Sequence, residues 1–181
     1  VQPDGGILVA GETATGTGHW NWQLARLLPD GEGLDTAFLG GLFDGNFLCG
    51  DCPIWDDRDA AHGLALQGDG RVVFAGSGYL TSSGTVDFGV ARRTTWGWPD
   101  PAFAPATGYG TRTFDLHYGV GGFADGSLAM ALAPDGRIVV AGWAEWNGAD
   151  TDFAWARFDN GYLFADSFEW GDASRWSLRV P

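Results

Sequence analysis

Apolar and polar positions in this chain alternate in long blocks, not at helical spacing. A turn-forming Asp-Gly pair opens each block. An unbroken apolar run follows, then a small Ala-Gly pair, a polar loop, and a second apolar run that ends in Ala-Arg. The blocks read Asp4-Gly5-Gly6-Ile7-Leu8-Val9-Ala10-Gly11, Asp69-Gly70-Arg71-Val72-Val73-Phe74-Ala75-Gly76 and Asp135-Gly136-Arg137-Ile138-Val139-Val140-Ala141-Gly142. Their Asp residues lie 65 and 66 residues apart. Two more anchors keep the same beat: Arg26, Arg92 and Arg157 close the second runs, and Phe38, Phe103 and Phe168 follow them. Three anchors in one register define three copies of one unit.

Each piece has a physical reading. Gly after Asp accepts the positive φ that a tight hairpin requires. A continuous run of β-branched and aliphatic residues suits a strand buried on both faces. The Ala-Gly pair leaves room for a close neighbour. Apolar stretches before the turns, Gly63 to Gln67 and Leu128 to Ala133, predict a preceding strand. The fold class that follows is all-β, with antiparallel four-stranded blade-like repeats forming a partial β-propeller or a linear β-repeat array. The predicted units are approximately 1–62, 63–127 and 128–181, in a single repeat domain, with a C-terminal tail from about 161.

Composition agrees. The chain has 181 residues and 30 Gly, a proportion that helical bundles rarely tolerate. Ten Trp and 12 Phe supply bulk. All ten basic residues are Arg, and the net charge is −13, which argues against nucleic acid and anionic lipid as partners. No run of 18 apolar residues exists, so no membrane insertion is expected.

The pattern Leu-Ala-Leu-x-x-Asp-Gly-Arg-x-Val-x-Ala-Gly, then Asp-Phe-x-x-Ala-Arg, resembles the delta-sixty repeat family of β-propeller-like repeats. Residues 64–76 with 87–92, and 130–142 with 152–157, carry the resemblance best. The first copy departs from it, with Trp20-Asn21-Trp22 where Asp is usual. The resemblance implies bacterial secreted or surface proteins with no common activity and no catalytic residues to transfer. Residues 164–177 are similar to a Phe-x-Asp-Gly-Phe-Glu-x-Gly-Asp-x-Ser-x-Trp tail of secreted bacterial proteins, with Ser167 in place of Gly. Both resemblances imply an extracellular or cell-surface location.

Cys49 and Cys52 stand in Cys49-Gly50-Asp51-Cys52-Pro53. A zinc site lacks the further ligands it needs. A redox pair lacks the helix that lowers the first thiol's pKa. A small disulfide clipping a loop is the favoured reading, with free thiols as the alternative.

Candidate chemistry is sparse. The chain has no nucleophile elbow, no zinc-protease motif and, without Lys, no phosphate-binding loop. His19, His62 and His117 share no repeat position. Asp56-Asp57-Arg58-Asp59 and Asp150-Thr151-Asp152 are the densest acidic spots, and neither matches a calcium loop. The expectation is a non-enzymatic protein with no catalytic residues, no metal site and no cofactor, calcium being the one ion considered. Arg26, Arg92 and Arg157 recur in every unit, which points to a scaffold role: each ties strand to turn through an Asp.

Trp20, Trp22, Trp96, Trp98, Trp143 and Trp146 lie beside inter-strand loops. They fit either core filler or an aromatic surface for sugars or proteins. Three units do not close a propeller, and Val1-Gln2-Pro3 lacks the strand found before Asp69 and Asp135. Either further blades or other copies then complete the fold. The reading is a self-associating extracellular subunit, a homo-oligomer or polymer joined by strand completion through a tail bearing Leu163, Phe164 and Phe168. The alternative is a secreted carbohydrate- or protein-binding lectin-like module.

Overall fold

The computed structural model describes residues 1–16, 19–45, 59–80, 84–105, 109–114, 116, 123–145, 150–159, 162–167 and 179–180. Among these the chain is all-β, with no helix. Twelve strands form three antiparallel sheets. The first blade holds β1 (Ile7–Gly16), β2 (His19–Leu27) and β3 (Leu42–Gly45) in that order. The second holds β4 (Ala60–Leu66), β5 (Val72–Leu80), β6 (Thr85–Arg93) and β7 (Thr111–Phe114). The third holds β8 (Asp125–Leu132), β9 (Ile138–Glu145), β10 (Thr151–Asp159), β11 (Tyr162–Ser167) and β12 (Arg179–Val180).

The Asp-Gly turns behave as the residues dictate. Asp4, Asp69 and Asp135 each accept the backbone N–H two residues on, at 3.0–3.1 Å. Gly5, Gly70 and Gly136 take positive φ of 82–90°. The Ala-Gly pairs also have their reason. A Cβ on Gly76 would collide with the carbonyl oxygen of Ala60 on β4, and one on Gly142 with that of Gly126 on β8. Gly11 is the same repeat position in the first blade, yet no described residue lies within 4 Å of its Cβ direction. No strand of the described residues precedes β1 in its sheet.

The blades stack face to face, the middle one between the others. Along β5, Val72 and Phe74 face the first blade, in a core with Leu8, Trp22, Leu24 and Phe38. Val73 and Ala75 face the third, in a core with Ile138, Val140, Ala156 and Phe158. That strict alternation, with both faces buried, is why the strand reads as a continuous apolar run.

Candidate binding site between blades

The two blade junctions are made from equivalent positions. At the first, Arg26 is satisfied on three sides. Its Nε donates to Gln2 Oε1 at 2.5 Å, one Nη donates to Asp4 at 2.5 Å, and the other pairs with Asp35. Arg93, almost fully buried, fills the gap that remains. Its guanidinium lies 5.0 Å from the Trp22 ring centroid and 5.2 Å from that of Phe43, and it donates to the Tyr109 carbonyl at 2.8 Å. Burial pushes its pKa down to about 10.

At the second junction the same positions leave a pocket of about 130 Å³. Gln67, Arg92, Phe103, Arg137, Ile138 and Phe158 line it. Arg92 Nε donates to Asp100 at 2.8 Å, and its two Nη groups meet no hydrogen-bond partner among the described residues. Gln67 Nε2 donates to the Gly136 carbonyl at 3.1 Å, while its buried Oε1 accepts no hydrogen bond from a described residue. Local chemistry explains the difference. Gly6 stands two residues after Asp4, and the Arg26 side chain lies where a Cβ there would be. In the second blade that position is Arg71, which itself pairs with Asp69, so Asp69 is not left for Arg92. Arg92 and Arg112 both stack on the Phe103 ring, at 4.9 and 5.5 Å. Arg112's pKa is lowered, first by burial and then by the charge of Arg92.

The sequence-derived candidates separate. Trp22 is fully buried, so it belongs to the core and not to an aromatic surface. Trp143 is half-buried on β9, and Trp20 is 40% exposed. Trp96 (59%), Trp98 (61%) and Tyr109 (57%) are exposed at one end of the second blade, where Thr94 N–H donates to the Trp98 carbonyl in a tight turn. Trp146, Cys49, Cys52, Phe168 and His117 lie outside the described residues. Leu163 and Phe164 are on β11, the fourth strand of its own blade, where the register sets Phe164 opposite Arg157 and Arg179.

Of the repeated arginines, Arg26 and Arg92 tie strand to turn through Asp35 and Asp100, each Asp also capping its own turn. Arg157 is half-buried on β10, in a blade where Ala165 and Asp166 extend β11 instead of forming such a turn. Asp59 is buried and accepts the Tyr79 N–H at 3.0 Å, a structural role for the one described residue of that acidic run. His62 Nδ1 lies 2.7 Å from the Ser127 carbonyl, which bridges second and third blades. Among the described residues no three His, Cys, Asp or Glu side chains converge as metal ligands. No helix there is long and apolar enough to cross a membrane, which says nothing of β-barrels. Sequence reasoning missed Gln67. Its signal was the recurrence of Gln2 one period earlier.

The repeat and the stacked blades define a β-propeller repeat protein. The chain belongs to the family described as a domain of unknown function (DUF5122) beta-propeller, whose profile matches residues 2–38, 67–103 and 133–161. No curated protein sequence matches the chain. Among solved structures it is similar to a fucose lectin from Kordia zhangzhouensis in complex with methyl-fucoside. The identity is 10%, the TM-score 0.46, and the alignment covers 92% of this chain and 94% of that one.

Proposed function

We propose that the chain is a non-catalytic, extracellular assembly module that docks head-to-tail with a second copy of itself. The delta-sixty resemblance and the secreted-type tail support the extracellular part of this reading. The observation that carries the docking is Gly11. In the other blades this glycine exists because a preceding strand crosses beside it. In the first blade no described residue occupies the same space beside β1.

The outer faces fit the same arrangement. Within the chain, each blade offers one face built like Val73, Ala75, Phe88 and Val90, and the next blade covers it with residues like Ile138, Val140, Ala156 and Phe158. The third blade carries the first set again as Val139, Ala141, Phe153 and Trp155, with Phe153 58% exposed. The first blade carries the second set as Ile7, Val9, Ala25 and Leu27, with Val9 49% exposed. A second copy therefore brings a matching face, and a heterologous contact of this kind yields a ring or a filament.

Sedimentation across a concentration series tests this. The wild-type chain is expected to form dimers or larger species, and Gly11→Val to remain a folded monomer. A wild-type chain that stays monomeric at high concentration would overturn the reading.

Exposed Trp96, Trp98 and Tyr109 support a second reading, a lectin-like module whose aromatic rings stack on sugars. Glycan-array binding that is lost in Trp98→Ala, with assembly intact, would favour it.

A further inference from the structure

The pocket between the second and third blades lacks two partners that the first junction has. Arg26 finds acceptors in Gln2, Asp4 and Asp35, whereas Arg92 finds only Asp100 among the described residues. Gln2 Oε1 accepts from Arg26, whereas Gln67 Oε1 is buried without a donor among the described residues. An unmet buried carbonyl oxygen costs free energy, and the partly exposed Nη edge of Arg92 offers a cation to any anion that reaches the pocket. One molecule can supply both needs if it carries an anionic oxygen pair and a hydroxyl.

We propose that this pocket binds a small hydroxy-carboxylate. Its carboxylate lies on the Nη edge of Arg92, with Arg112, which shares the Phe103 ring, adding positive potential. Its hydroxyl donates to Gln67 Oε1. Its carbon skeleton rests on Ile138, Phe158 and Phe103. A cavity near 150 Å³ accommodates benzene, so about six non-hydrogen atoms fit a space of 130 Å³. That is the size of lactate, or of the carboxylate end of a larger acid reaching past Arg137 at the rim. This binding is independent of whether copies assemble.

The test titrates isotope-labelled protein with sodium lactate at constant ionic strength, followed by NMR at the Gln67 side-chain amide and Arg92 Nε–H. Acetate, which lacks the hydroxyl, and propane-1,2-diol, which lacks the carboxylate, are the controls. The expected result is a saturable shift with lactate, about tenfold tighter than either control, the worth of one good hydrogen bond. Gln67→Met, which keeps the length and loses the acceptor, should bind lactate no better than acetate. Phe158→Arg, which installs the residue that the first junction holds at Arg93, should fill the pocket and abolish binding. No saturable response to lactate, equal responses to all three compounds, or undiminished lactate binding by a folded Gln67→Met chain would each overturn the proposal. Should either variant fail to fold, the selectivity of the wild-type chain decides alone.

Discussion

The junction of the first and second blades and that of the second and third use the same repeat positions for opposite ends. In the first, the cation is Arg93 on the later blade and an aromatic partner is Phe43 on the earlier one. In the second, the position of Arg93 is Phe158, and the position of Phe43 is Arg112. Arginine and phenylalanine have exchanged blades. The exchange keeps one large flat cation and one ring at each junction. It closes the first with a buried guanidinium and leaves the second with an apolar wall and a pocket. A repeat thus fixes the backbone, while pairs of side chains across blades decide which junction is sealed.

The largest expected effect tests the backbone half of that contrast. Gly76→Val and Gly142→Val force a side chain into the carbonyl of the neighbouring strand, and each should cost more than about 4 kcal/mol or prevent folding. Gly11→Val meets nothing and should change monomer stability by less than about 0.5 kcal/mol. Urea denaturation of the three variants measures the gap. Equal losses at all three would show that the first blade has a strand beside β1 after all.

The side-chain half comes next. Phe158 is buried against Phe114 and Phe103, with ring centroids at 5.2 and 6.0 Å. Phe158→Ala should cost about 3–5 kcal/mol, the usual range for a buried ring. Arg93→Ala should cost about 1–3 kcal/mol. It loses packing on three aromatic rings, but it also removes a charge that burial disfavours. If Arg93→Ala proved the more damaging, the guanidinium would be a better plug than the ring, and the two junctions would rank the other way.

How much of this was legible beforehand follows from what each feature depends on. The Asp-Gly turns, the apolar runs and the glycines after Ala are set by residues close in sequence, so Asp69-Gly70 and Ala75-Gly76 announced themselves. The tie of Arg26 and Arg92 to a turn Asp was readable because the arginine recurs in each unit, but its partners Asp35 and Asp100 were not, and the third unit puts a strand where that turn would be. The Arg–Phe exchange was not, since it needs the register that pairs Leu24 with Phe43 and Val90 with Arg112. Trp22 looked like a loop-side aromatic because its neighbours Trp20 and Asn21 are polar-facing or exposed, and only strand pairing shows it pointing inward. Gln67 is marked only by the recurrence of Gln2 one period earlier, and a lone Gln in a turn carries no motif of its own.

A smaller effect separates the turns at the two junctions. Gly70 and Gly136 both hold φ of +82°. A side chain at Gly70 also meets the Thr95 methyl at 2.8 Å, whereas one at Gly136 meets nothing within 4 Å. Gly136→Val should therefore cost about 1–3 kcal/mol from backbone strain alone. Gly70→Val should cost more, by roughly the price of one tight contact. Melting temperatures of the two variants, measured side by side, give the order. The reverse order would place the crowding at the open junction.

The smallest effect is a pH dependence, and it too distinguishes the blades. Asp4 is held below its ordinary pKa by the Gly6 N–H and by Arg26 from across the sheet. Asp135 is held lower, to about 2, mainly by its own neighbour Arg137 through a side-chain bond, and then by that residue's N–H. A carboxylate held down in the folded state takes up its proton first in the unfolded chain as pH falls. Its stabilising contribution is therefore complete above the ordinary value of 3.8 and fades as pH drops toward 2. Asp135 is exposed, so solvent screens the effect and it should be slight. Arg137→Gln should reduce the loss of melting temperature between pH 5 and pH 2.5. An unchanged acid slope in Arg137→Gln would mean that the turn's N–H, not the guanidinium, sets the titration of Asp135, as it already leads at Asp4.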